Sequence, residues 1–101
     1  MAKWGFLTNQ ALVLFHVFQH PQSTLREISE AVGITERAAL SCLRQMEAEK
    51  LVSREKEGRR NRYTVNVEGV LDFRTPAGTS IEEIAMIVVQ VAAELRKAQG
   101  R

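Results

Sequence analysis

The chain has 101 residues, 45% of them apolar and 26% charged, with a formal net charge of +2. That size supports one hydrophobic core and not two, and the composition is that of an ordinary globular domain. The longest apolar run, Ile84 to Val89, is too short to span a bilayer, and Met1-Ala2-Lys3-Trp4-Gly5 carries no cleavable signal pattern, so a cytoplasmic location without membrane contact is expected. A single cysteine, Cys42, rules out an internal disulfide.

In chain order, the first predicted helix runs over 8–19. Thr8 or Asn9 caps it, and His20-Pro21 ends it because the residue before proline is pushed out of the helical region. Between Ala11 and Phe18 only His16 is polar, so this helix needs cover on more than one side, with Val13 and Val17 expected off its main stripe. A second helix is predicted over 24–32, capped by Ser23 or Thr24, the latter at capping-box spacing from Glu27, with Leu25, Ile28 and Val32 on one face. Gly33 supplies the left-handed turn, and Thr35 caps a third helix over 35–50. Its back is Ala39, Cys42, Leu43 and Met46; its front is Arg37, Ser41, Arg44 and Ala48, with Leu40 and Gln45 on the flanks.

Leu51-Val52-Ser53-Arg54 and Arg62-Tyr63-Thr64-Val65-Asn66 read as two strands of a hairpin around a polar turn at Gly58. Residues 67–78 read as a connector containing Leu71, Phe73 and Pro76. The last helix is predicted over 80–99 from a capping box at Ser80 and Glu83. Its seam, Ile81, Ile84, Val88, Val91, Leu95 and Ala98, repeats at alternating three and four as in a coiled coil, and Met86, Ile87 and Val89 widen the apolar surface.

The charge is not spread evenly. Arg54, Lys56, Arg59, Arg60 and Arg62 stand against Glu55 and Glu57 in nine residues, a local excess larger than that of the whole chain. A basic patch on a nearly neutral protein points to a polyanion. The stretch from Leu25 to Met46 supplies helix, glycine turn and helix, with small Ser29 at the crossing and Val32 and Ile34 flanking the turn. Such a pair presents the start of its second helix to the major groove, and a hairpin tip of Gly58-Arg59-Arg60-Asn61-Arg62 suits a minor groove or phosphates.

With these stretches, about Leu7 to Asn66 resembles the small winged helix-turn-helix regulators of bacteria and archaea, in the broad MarR-like and ArsR-like group. The carrying residues are Leu25-Arg26-Glu27-Ile28, Gly33-Ile34-Thr35-Glu36-Arg37-Ala38 and Gly58-Arg59-Arg60-Asn61-Arg62-Tyr63-Thr64-Val65-Asn66. The resemblance implies that Thr35, Glu36, Arg37, Ala38 and Ser41 face the groove, and that Arg59, Arg60, Asn61 and Arg62 form the wing's contacts; Arg44 and Gln45 extend the helical part of the surface. It also implies a dimer made by the last helix. The long extra helices of full-length MarR proteins are not expected, nor is a ligand pocket of their kind.

The expected architecture is mainly α with a small β-wing: a winged helix-turn-helix with its connector over 1–78, and a C-terminal dimerisation helix over 79–101. The expected partners are double-stranded DNA and a second copy through Ile81, Ile84, Val88, Val91 and Leu95. Alternatives are a winged-helix protein-interaction module that never touches DNA, or a ligand- or metal-responsive repressor of the same fold. His16 and His20 have a chelating spacing but lack further ligands in sequence, and Cys42 reads as a small buried residue, so no cofactor or metal is expected. No nucleophile with a base and no phosphate-cradling glycine loop suggests an enzyme. Leu40 is read as touching a thymine methyl or packing under the wing; Trp4 and Phe6 as capping the core or the dimer, with groove binding the alternative.

Overall fold

The computed structural model describes residues 7–100; Trp4 and Phe6 lie outside them. The elements are α1 (Asn9–Gln19), α2 (Leu25–Val32), α3 (Glu36–Ala48), β1 (Val52–Glu57), β2 (Arg60–Val65), α4 (Val67–Asp72) and α5 (Ile81–Gln99). They form two compact units, divided between Asn66 and Val67.

In the first unit, α1, α2 and α3 pack on one another and the hairpin closes against α1 and α3. Each helix begins on a hydroxyl that accepts a backbone N–H otherwise left without a partner: Thr8 from Ala11, Thr24 from Glu27, Thr35 from Ala38. Val13, Val17, Ile28 and Leu43 are fully buried, and Ala39, Cys42, Met46, Val52 and Tyr63 complete the core. The back of α3 is thus the one its periodicity predicts. For α1 the sequence reading is corrected: Val13 and Val17 are its best-buried residues, while Phe15 and Phe18 are 51% and 60% exposed. The face covered by α2 and α3 is too narrow to take the phenylalanines as well.

α3 ends two residues early because its terminus is a Schellman motif built without glycine. The Leu51 N–H donates to Met46 O at 2.9 Å and the Lys50 N–H to Glu47 O at 3.0 Å, with Lys50 at φ 60°. Asn66 holds this corner, its Nδ2 donating to Lys50 O and its backbone N–H to Leu51 O.

The hairpin is longer than the sequence suggests. Its antiparallel register runs from Val52↔Val65 to Glu57↔Arg60, leaving only Gly58 and Arg59 in the turn. Gly58 stands at φ 64°, which a two-residue hairpin turn favours at its first central position. Arg60, Asn61 and Arg62, expected at the tip, therefore lie in β2.

In the second unit, the expected connector contains α4, which packs on α5. Arg74 and Ser80 form an isolated antiparallel bridge, and the Ile81 N–H returns to Phe73 O at 2.9 Å. The Ser80–Glu83 capping box is formed, and Ser80 is buried. Ile81 and Ile84 are half-buried, whereas Met86, Ile87, Val88, Val89, Val91 and Leu95 are each more than half exposed.

The left-handed corners that end α2 and α3 set opposite expectations. Gly33 (φ 84°) has nothing within 4 Å of a built Cβ, so Gly33→Ala meets only the conformational cost and should lower stability by about 1 kcal/mol. Lys50→Gly should raise stability by about 0.5–1 kcal/mol, since relief of the left-handed strain exceeds the added unfolded-state entropy. Chemical denaturation of the two variants checks both signs; a destabilised Lys50→Gly contradicts the strain.

Candidate nucleic-acid interface

The outward face of α3 starts at Thr35, whose hydroxyl accepts the Ala38 N–H at 3.0 Å. That oxygen serves the cap with one lone pair, and its own O–H remains able to donate, so Thr35 both fixes the helix start and stands exposed at it. Glu36 is exposed in the first turn and Ala38 is half-buried. Arg37, Ser41 and Arg44 recur at helical spacing, all exposed, and among the described residues neither arginine has an ion-pair partner. With Leu40, Gln45 and Ala48 they line a shallow concavity of about 480 Å³. Leu40 is half-buried there. Gln45, read from the sequence as extending this surface, accepts a hydrogen bond from Gln10 Nε2 at 2.9 Å and so ties α3 to α1.

The wing's basic residues do not form one patch. Side chains alternate across a strand pair, so the register sorts them. Arg54 and Lys56 share one face with Asn61 and Tyr63; Arg60 and Arg62 share the other with Glu57 and Glu55 directly opposite. The second face is electrically balanced. Arg54 reaches Glu47 of α3 at 3.5 Å, and Arg60 reaches Glu27 of α2 at 3.1 Å. Among the described residues, Lys56, Arg59 and Arg62 remain without an ion pair. Lys56, not among the contact residues that the resemblance implies, is exposed, and the period of two separates it from its acidic neighbours in β1.

Four contacts join the wing to the α1–α2 loop and the start of α2. The Tyr63 N–H donates to Pro21 O at 2.8 Å. Gln22 Nε2 donates to Glu57. Arg60 Nη1 donates both to Gln22 O at 2.9 Å and to Glu27 Oε1 at 3.1 Å. Sequence showed Glu27 only as a capping residue; its partner is 33 positions away and leaves no local signal. The Thr24 backbone N–H and then the Arg60 guanidinium hold the Glu27 carboxyl below the usual carboxylate range.

A concavity of about 510 Å³ beside this junction is lined by His16, His20, Gln22, Glu27, Arg60 and Arg62, among others. The Ser23 hydroxyl donates to His20 O, which leaves its oxygen to accept from His16 Nε2–H, at 2.9 Å each. Burial, and then the neighbouring His20, lower the His16 pKa. The two histidine rings stand 4.9 Å apart, and among the described residues no three His, Cys, Asp or Glu side chains are grouped to hold a metal. Cys42 is buried in the core, and desolvation raises its thiol pKa, which disfavours the reactive thiolate.

A three-helix core with a helix-turn-helix and a fastened β-wing defines the winged-helix class. Solved structures of that class are similar to this chain. MepR, a transcription regulator of the multidrug efflux pump MepA of Staphylococcus aureus, matches with a TM-score of 0.56 at 24% identity, covering 92% of this chain and 77% of that one. A MarR family transcriptional regulator from Silicibacter pomeroyi matches with a TM-score of 0.59 at 13% identity, covering 93% and 57%. A MepR variant bound to an oligodeoxyribonucleotide matches with a TM-score of 0.57 at 18% identity, covering 91% and 62%. This chain therefore spans less than two thirds of the length of several of the structures it matches. No protein family's profile and no curated protein matches the sequence. Among the described residues, no helix is long and apolar enough to cross a membrane.

Both shifted groups beside the wing have lowered folded-state pKa values, so each favours the folded state above its unfolded pKa and loses that contribution as pH falls through the folded one. The thermal midpoint should first decline as pH falls below the ordinary histidine range, and decline again below the ordinary carboxylate range. Glu27→Gln should flatten the second decline only in part, because Glu83, held low by its own capping bonds from Ser80, titrates in the same direction. Circular-dichroism melts across pH test this; identical acid limbs for wild type and Glu27→Gln contradict it.

Proposed function

We propose that the protein is a transcription regulator that binds double-stranded DNA, reading bases with the start of α3 and holding phosphates with its wing. The observation that carries this is the row Arg37, Ser41 and Arg44: exposed, uncommitted within the fold, and set on a helix whose back is locked in the core. Nothing in the packing of the first unit requires two arginines there. The free cations Lys56, Arg59 and Arg62 support a backbone contact by the wing. The oligodeoxyribonucleotide-bound MepR structure shares the fold and supports the same reading.

On this reading Arg37 makes a bidentate contact to guanine, Glu36 accepts from a cytosine amino group, and Ser41 and Arg44 lie along the groove, with Ala38 flanking. A wrong base opposite a bidentate side chain costs about 1–3 kcal/mol. Selection from a randomised duplex library should therefore return a motif with one position relaxed for Arg37→Ala; an unchanged motif contradicts the assignment. Arg59→Ala or Arg62→Ala should weaken binding to all duplexes and reduce the slope of log affinity against log salt by about one unit. A flat salt dependence in the wild type would favour a protein-interaction module instead.

We further propose that α5 makes a homodimer, with the winged helix as the DNA-binding part and the C-terminal helix as the dimerising part. Six apolar side chains of α5 stand more than half exposed, Val88 at 60% and Val91 at 64%. Covering the exposed half of each contributes about 1 kcal/mol, and a symmetric pair doubles the set. That total only matches the cost of association, about 4–15 kcal/mol, so further apolar cover is needed. Ile81 and Ile84, half-buried already, contribute less. Two recognition helices would then meet successive turns of the duplex, roughly 34 Å apart, on a palindromic site. Val88→Glu should yield a monomer by sedimentation velocity and cost DNA affinity, although no proposed DNA-contacting residue is altered. A wild type that is monomeric at micromolar concentration contradicts the proposal.

A further inference from the structure

We propose that Arg60 and Glu27 form a latch that sets the direction of the wing, so that Arg60 positions the DNA-binding surface without touching DNA. The inference rests on the DNA-binding reading above but makes a separate claim. Arg60 belongs by sequence to the wing's basic run, where each arginine looks equivalent. Its geometry is not equivalent. One nitrogen, Nη1, donates to the Gln22 carbonyl at 2.9 Å and to Glu27 Oε1 at 3.1 Å. Both acceptors lie at the entry to α2, more than thirty residues away in sequence. Arg59, its neighbour, has no such partner among the described residues.

The acceptors are themselves fixed. Glu27 is the third helical residue of α2, and the same Oε1 accepts the Thr24 N–H at 2.8 Å in the capping box. The Gln22 carbonyl lies one residue beyond Pro21, whose carbonyl takes the Tyr63 N–H of β2. Tyr63 is buried, so β2 is held by its backbone there, and Arg60 holds the same strand three residues nearer the tip. Gln22 Nε2 completes the attachment on Glu57, the cross-strand partner of Arg60. β1 is tied separately by Arg54 to Glu47 of α3. The hairpin thus bears on α2 through one strand and on α3 through the other, which fixes the wing relative to the recognition helix. The latch pair is about half exposed on both sides, 52% and 51%, so its contribution is modest and its loss leaves the core intact.

The test combines equilibrium binding across a salt series with amide hydrogen exchange at Tyr63, on full-length wild type, Arg60→Ala, Glu27→Gln and Arg59→Ala. Duplex from a randomised library serves as the probe. Arg60→Ala should weaken binding on the order of fivefold with an unchanged salt slope, because no phosphate contact is lost. Exchange at Tyr63 should speed up in both Arg60→Ala and Glu27→Gln and stay at the wild-type rate in Arg59→Ala. Glu27→Gln keeps an oxygen for the cap and removes the charge that draws Arg60, so it weakens the latch without altering the helix start. A salt slope reduced by about one unit in Arg60→Ala overturns the proposal, whatever the exchange shows, since Arg60 would then be a phosphate contact. Unchanged exchange at Tyr63 in both latch variants overturns it too. Wild type that binds no duplex refutes the DNA-binding reading alone, and the exchange arm still decides whether the latch exists.

Discussion

The hydrogen bond from the Tyr63 N–H to the carbonyl of Pro21 is the join on which the first unit depends. Pro21 ends α1 and starts the loop into α2, so its carbonyl has no helix to enter. β2 supplies the donor, and the Tyr63 side chain fills the core beneath it. A hairpin alone in water is marginal at best. Here it is held by one buried backbone bond, one buried ring and Val52 at its base, with polar links farther out. The wing is therefore a projecting but oriented arm, which a phosphate-binding ribbon needs.

That arrangement divides the charges by task. Arg54 and Arg60 answer acids on α3 and α2 and fix the arm. Lys56, Arg59 and Arg62 are left for a partner, alongside Arg37 and Arg44 on α3. A net charge of +2 conceals this, because it counts paired and unpaired charges alike. Affinity for a polyanion depends on cations that remain uncommitted after folding.

Much of the fold was legible in the sequence because its signals are local. Thr8, Thr24, Thr35 and Ser80 announce four helix starts, and the Ala39–Met46 stripe announces which side of α3 is buried. What failed was non-local or weakly marked. α4 is six residues long with Gly69 inside it, so propensity hides it. α3 stops without glycine because Asn66, sixteen positions away, braces Lys50. Phe15 and Phe18 outweigh Val13 and Val17 in apolar area, yet the small β-branched side chains are the ones that fit between helices. In the candidate site, the front of α3 was readable from periodicity. The contacts that Arg60 and Gln45 make within the fold were not, since their partners Glu27 and Gln10 lie more than thirty residues away.

The central claim is that the front of α3 and the wing together form a DNA-binding surface. The most direct measurement is an amide chemical-shift titration of the labelled protein with duplex DNA at low salt. The account predicts perturbations concentrated over residues 35–45 and 56–62, reversed by added salt. Perturbations absent from both stretches, or confined to α5, would contradict it.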